Sequence, residues 1–207
     1  MRKAGWYVVQ VFTGHENHAC EAILRTCALV EKLEAAEHPE LGESQLLQEC
    51  FSPTFTHRLK FRGEWREVQR ALMPGYVIAV TTDPVKLQRI LRATPGFTKL
   101  LVFGEMYQAL RDEERGWIEA ATRPQERVVP ISVGYREGDT LVVTEGPLKG
   151  HEALVKRIIR KKSLAVLELH AGGKRITATV GLAVLPKRDG AAHLSAGGRR
   201  GEMNKLL

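Results

Sequence analysis

The chemistry most legible in this chain is phosphate binding. Lys156, Arg157, Arg160, Lys161, Lys162, Lys174 and Arg175 place seven cationic side chains within 20 residues, opposed only by Glu168. Lys149 and His151 border a glycine-rich turn just upstream. Clustered Lys and Arg neutralise the phosphates of a polyanion and displace its counterions, so such binding weakens steeply with salt. Tyr135 is the only aromatic residue between positions 134 and 187. That scarcity disfavours stacking on single strands and favours recognition of a structured RNA by shape and phosphate. A solvated surface turn is the competing reading of the same charges.

Other constellations are weaker. His15, His18, Cys20 and Cys27 lie close in sequence, but their spacing is not that of a closed zinc site. Cys20, Ile23, Cys27 and Val30 instead repeat as the apolar stripe of an amphipathic helix, which makes the cysteines core residues. No Walker loop, G-x-G-x-x-G, G-x-S-x-G or H-E-x-x-H is present, and no nucleophile–base or carboxylate pair stands out. No catalytic residue, metal ligand or cofactor is expected.

Charge divides the chain. Its 207 residues carry a formal net charge of +7. Residues 1–133 hold 17 basic and 17 acidic side chains. Residues 134–187 hold 10 basic and 5 acidic, and the tail, 188–207, holds 4 and 2. A neutral part joined to a basic part predicts two modules with different partners. No apolar run approaches the ~20 residues of a membrane span. Three cysteines are too few and too odd for a disulfide framework, which points to a reducing, cytoplasmic setting.

The elements that position these residues follow from periodicity. Trp6 to Phe12 is aromatic and β-branched, a strand. A helix is expected from His15 to Leu33, then a connector or short helix from Glu31 to Glu49. Phe51, Pro53, Phe55, His57, Leu59 and Phe61 alternate with polar residues, predicting one half-buried strand that returns from Trp65 to Leu72. Further strands are expected at 76–80 and 99–103. Asp83 and Pro84 open a helix to Arg92, and helices are expected at 106–110 and 111–121. This is an α+β sandwich, a sheet with helices laid on one face. Residues 122–133 read as a flexible linker, and the change of charge at the same place supports a domain boundary. Five short strands are expected beyond it, at 140–144, 153–160, 164–170, 175–180 and 183–185, as a small β-barrel. The tail, 188–207, reads as disordered.

Several stretches then carry a resemblance. Gly138-Asp139, Val142-Val143 and Glu145-Gly146-Pro147-Leu148-Lys149-Gly150 resemble a KOW motif, whose fold is a five-stranded SH3-like barrel. Trp6-Tyr7-Val8-Val9-Gln10, Met73-Pro74-Gly75-Tyr76-Val77 and Thr94-Pro95-Gly96-Phe97 resemble the NGN domain of the NusG transcription elongation factors. The resemblance implies an NGN domain at 1–121, with an antiparallel sheet, and a KOW domain at 134–187.

The resemblance implies a monomer with no enzymatic activity that binds RNA polymerase. The NGN domain would dock an exposed apolar depression, here Tyr7, Leu72, Met73, Tyr76 and Ile78, on the clamp helices. Ordinary strand core is the competing reading, and for Tyr76 the two stand level. His15 and His18 would face non-template DNA, with Arg58, Arg62 and Arg66 near the hairpin tip; a merely solvated basic face competes. Lys149, His151, Lys156, Arg157, Arg160, Lys161, Lys162, Lys174 and Arg175 would bind a nascent RNA hairpin. General members carry an aromatic in the barrel turn that contacts Rho or a ribosomal protein. His170-Ala171-Gly172-Gly173 has none, which argues against coupling to Rho or the ribosome. Thr144 to Gly150 with its basic hairpin is most similar to the specialised LoaP antiterminators; a general NusG factor is the alternative.

Overall fold

The computed structural model describes residues 3–39, 45–123, 126–171 and 173–186. Its first sheet has the order β2-β5-β1-β6, built from β2 (Leu47–Phe51), β5 (Tyr76–Thr81), β1 (Gly5–Val11) and β6 (Thr98–Leu100). All its pairings are antiparallel, with Val8 opposite Ile78 and Val9 opposite Val77. Both faces are buried, which explains the unbroken apolar run from Val77 to Val80. Val9, Val11, Val77 and Ala79 meet α1 (Glu16–Glu37) and α2 (Pro84–Ala93) through Cys20, Ile23, Cys27, Leu87, Ile90 and Leu91. The stripe read from sequence is thus the helix face that packs. Asp83 caps α2, accepting a hydrogen bond from the Lys86 N–H at 2.9 Å.

The strand expected over 51–61 is two strands in two sheets. Ser52-Pro53 separates β2 from β3 (Thr54–Phe61), and proline cannot donate to a ladder. β3 forms a hairpin with β4 (Glu64–Ala71) and, on its other edge, a parallel pair with β7 (Val128–Val129). The connector at 122–133 is therefore structured where it is described. Arg127 is buried, bonds Glu49 at 2.8 Å, and lies 4.5 Å from the Phe51 ring centroid. The helix expected at 106–110 is absent. Phe103 and Met106 form a tight bridge, and the Leu110 N–H donates to the Trp6 carbonyl at 2.7 Å instead of to a helical neighbour. α3 (Asp112–Ala121) follows.

The C-terminal part is a five-stranded sheet of order β10-β11-β12-β8-β9. It comprises β8 (Ser132–Glu137), β9 (Thr140–Glu145), β10 (Val155–Ile159), β11 (Leu164–Ala171) and β12 (Lys174–Leu185). The strands expected at 175–180 and 183–185 are one strand. β12 pairs antiparallel with β11 as far as Gly181, then parallel with β8 from Leu182. β8 supplies the fifth strand. The tail at 188–207 lies outside the described residues.

The two parts share a core. Trp6, Val8, Ile78 and Val80, on the face of the first sheet away from α1, join Phe55, Leu72, Met73, Trp117 and Ile118. The same cluster continues into Val143, Leu148, Leu167, Leu169, Ile176 and Val180 of the barrel. Burial of a large apolar side chain contributes about 1.5–3 kcal/mol, so this shared face is a main source of cohesion between the parts.

Candidate functional site

The residues expected to form one apolar docking face are split by the first sheet. Tyr76 and Ile78 belong to the face that meets the barrel, with Leu72 and Met73 beside them. Tyr7 packs with the cluster on the opposite, helix-bearing face. Strand parity explains this: Tyr7 pairs with Ala79, whereas Val8 pairs with Ile78. Trp6, Val8 and Val80 complete the face instead, and the period-two pattern of β1 is the signal that could have found them. Burial raises the pKa of the Tyr7 hydroxyl, and the Asp83 charge adds to this.

The face was expected to be an exposed patch, and in this structure it is covered. Leu72 and Ile78 are 0% exposed and Met73 is 1% exposed. Among the described residues, three hydrogen bonds join the barrel to the N-terminal part across it. The Thr179 N–H donates to the Leu72 carbonyl at 2.9 Å. Trp117 Nε1 donates to the Pro147 carbonyl at 3.0 Å. The His170 N–H donates to Glu114 Oε1 at 2.6 Å. The two backbones approach closely at Gly181, where a Cβ would lie 2.4 Å from the Thr56 carbonyl oxygen. Only glycine lets β12 run so near β3.

Glu16 holds the turn that presents Met73 and Tyr76. Its buried carboxylate accepts from the Gly75 N–H at 2.7 Å and the Gly14 N–H at 3.1 Å. Burial pushes its pKa up, but these backbone donors outweigh burial and hold it below the usual carboxylate value.

The residues expected to touch DNA sit on two elements. His15 and His18 are exposed at the start of α1. Arg58, Arg62 and Arg66 are exposed on the β3–β4 hairpin. Arg58 pairs with Glu67 at 3.1 Å and Arg66 with Glu64 at 3.4 Å. Such exposed pairs contribute roughly 0–1 kcal/mol and exchange readily for a phosphate. Arg62 and Arg66 both lie over the exposed Phe61 ring, at 5.3 and 5.4 Å from its centroid.

The basic cluster of the barrel is contiguous in sequence but not in space. Lys156 and Arg157 are on β10, and Arg160, Lys161 and Lys162 form the turn into β11. Lys174 and Arg175 open β12, opposite Ala171 and His170 at the far end of β11. The seven steps of ~3.3 Å along the eight residues of β11 put the two groups roughly 23 Å apart. Lys149 lies in the turn after β9 and His151 directly follows it. All nine side chains are exposed. Within that turn Gly146 adopts φ +92°, and a Cβ there would meet Ser132 Cα at 2.7 Å.

The three cysteines are free, buried thiols in the helix-bearing core. Burial pushes the Cys27 thiol up to about 11, which keeps it protonated and unreactive. The Cys50 thiol is also raised well above its ordinary value, first by its hydrogen bond with Cys20 and then by burial.

A sheet with α1 and α2 on one face, followed by a strand-rich C-terminal part, agrees with the architecture the sequence motifs implied, except that β3 and β4 form a sheet of their own with β7 and α3 packs on the other face. The sequence model described as transcription termination factor NusG matches residues 4–118. The chain belongs to the NusG family. It is 23% identical to the transcription termination/antitermination protein NusG of Rickettsia felis, over 89% of this chain and 90% of that one. It is 24% identical to the Streptococcus pyogenes NusG, over 80% and 87%. A solved structure on domain interaction in Thermotoga maritima NusG is similar with a TM-score of 0.45 and 16% identity, over 86% of this chain and 94% of that one. NusG-family proteins are transcription termination/antitermination factors, and this chain is one of them. Among the described residues no helix is long and apolar enough to cross a membrane.

Proposed function

We propose that this NusG-family chain is a specialised elongation and processive antitermination factor of the LoaP type. Its N-terminal part docks on the clamp helices of RNA polymerase, and its barrel binds a structured element of the nascent RNA. The observation that carries this reading is the cationic edge from Lys156 to Lys162. None of its five Lys and Arg side chains forms an ion pair among the described residues. A polyanion is the partner that such a surface lacks. Lys149, His151, Lys174 and Arg175 extend the surface toward other edges of the barrel.

Docking on polymerase uses Leu72, Met73, Tyr76 and Ile78, with Trp6 and Val8 behind them. The barrel covers that face here, so docking requires the barrel to move off it. Polymerase that binds only the uncovered form then shifts the population toward it. His15, His18 and the hairpin arginines face the non-template strand in the docked complex. The His170 turn offers no aromatic side chain to Rho or the ribosome, and its backbone is engaged by Glu114.

The test is transcription in vitro through an intrinsic terminator, with and without a candidate leader RNA hairpin in the template. Readthrough that needs both the protein and the hairpin is the expected result. Changing Arg157, Arg160, Lys161 and Lys162 together to Glu should abolish the hairpin dependence while polymerase is still retained. Hairpin-independent activity, together with capture of Rho by the chain, would instead identify a general NusG factor.

A further inference from the structure

A hollow of about 330 Å³ opens where the end of β12, strand β8 and the turn after β10 meet. Arg136, Arg160, Val184, Leu185 and Pro186 line it. Two arginines line one concave space, and no carboxylate is among the lining residues.

Arg136 is only partly used by the protein. One terminal nitrogen donates to the Asp139 carbonyl at 2.9 Å and lies 3.5 Å from Asp139 Oδ1. That carboxylate is fully exposed, so its hold is weak. The Arg136 Nε–H is buried and has no acceptor. Arg160 is exposed and forms no ion pair among the described residues. Guanidinium groups match phosphate and carboxylate oxygens alike through paired N–H donors, and the adjoining Lys and Arg side chains favour the phosphates of a polyanion.

The remaining walls are apolar, and Leu185 is 54% exposed. An inorganic anion would leave that surface wet, whereas a nucleotide unit would cover it. Apart from the two arginines the lining offers no side chain able to read a base edge. This suits a link in a longer RNA better than a free nucleotide selected by its base. Arg160 also continues directly into Lys161 and Lys162, so the hollow is contiguous with the cationic edge. None of its lining residues makes the hydrogen bonds that join the barrel to the N-terminal part.

We infer that this hollow is a phosphate subsite for RNA. Arg136 and Arg160 hold one backbone phosphate, and Val184, Leu185 and Pro186 receive the adjoining ribose or base. The inference rests on the RNA-binding reading of the barrel and adds Arg136, which lies outside the sequence cluster. Because none of the lining residues makes a hydrogen bond to the N-terminal part, RNA engages the hollow while the barrel still covers the apolar face.

The test uses the full chain and a fluorescein-labelled RNA hairpin, with anisotropy read across a salt series. Arg136→Gln should weaken binding several-fold and lower the salt slope by about one. Arg160→Gln should do the same from the other wall, and it stands in if Arg136→Gln unfolds. Asp139→Asn should bind at least as tightly as the parent chain. Lys156→Gln with Arg157→Gln probes the cationic edge separately. If that double change weakens binding while both pocket variants keep parental affinity and slope, the subsite is overturned and the RNA surface stands. If the parent chain does not bind the hairpin, both readings fall. Adenosine monophosphate forms the second arm. Displacement of the hairpin by low adenosine monophosphate, lost in Arg136→Gln, would assign the hollow to free nucleotide and overturn the RNA assignment.

Discussion

The backbone N–H of His170 lies 2.6 Å from Oε1 of Glu114. Glu114 is 5% exposed and also accepts hydrogen bonds from the Arg111 backbone and side chain, at 3.2 and 3.0 Å. His170 Nδ1 stands 3.4 Å from the same oxygen. One carboxylate on α3 therefore serves its own helix and the end of barrel strand β11. Glu114→Ala should lose about 1.5–3 kcal/mol of stability, the usual worth of hydrogen bonds to a charged group. The amide of Thr179, which bonds the Leu72 carbonyl across the same junction, should exchange faster. Unchanged exchange at Thr179 would show that this contact does not hold the barrel down.

Gly181 tests the junction by crowding it. A Cβ there would sit 2.4 Å from the Thr56 carbonyl oxygen, a backbone atom that cannot swing aside. Gly181→Ala should cost about 1–3 kcal/mol, as overpacking does, and should increase polymerase capture if the covered face is the docking face. Thermal unfolding and a pull-down with polymerase read the two effects.

Glu16 makes stability depend on acid. Its pKa in the folded chain is lowered, so its contribution is fully present above the unfolded carboxylate value. That contribution is lost as pH falls through the folded value. Glu16→Gln should flatten this acid limb, and it should loosen the Gly75 turn at neutral pH. An acid limb identical to that of the parent chain in a denaturant titration would refute the assignment.

His57 acts in a higher pH window. It is 1% exposed, and neither ring nitrogen has a hydrogen-bond partner. Burial lowers its pKa from the ordinary value of 6.5, and the charge of Arg70 lowers it further. The unfolded chain therefore takes up a proton first, and stability falls as pH drops from 6.5 toward the folded value. His57→Phe should be neutral or stabilising near pH 7, because it removes two unsatisfied polar atoms beside the Phe55 ring. It should also remove the loss of stability between about pH 6.5 and the folded value. Melting temperatures across that range decide it.

Much of the architecture was legible from local physics. The Cys20-Ile23-Cys27 stripe packs, Asp83-Pro84 opens α2, and Gly146 sits where a Cβ would strike Ser132. The misreadings share a cause. Residues 51–61 keep one alternation across two strands, since period two says which face a residue takes and not which sheet it joins. Val128-Val129 is too short to declare itself a strand without β3 beside it. Residues 106–110 look helical until the Trp6 carbonyl captures the amide of Leu110.

The candidate surfaces divide in the same way. Residue type and order alone determined that the C-terminal part is cationic and that the turns of both parts carry NusG-like motifs. Charge and backbone permissiveness are properties of individual residues, so they are set before the chain folds. The tertiary structure decided that Tyr7 and Ile78 lie on opposite faces, and that Lys174 and Arg175 stand apart from Arg160 to Lys162. It also decided that the barrel lies over Leu72 and Met73, and that Arg136 meets Arg160 across one hollow. Those are relations between strands distant in the chain, set by register and by the need to bury apolar faces against each other.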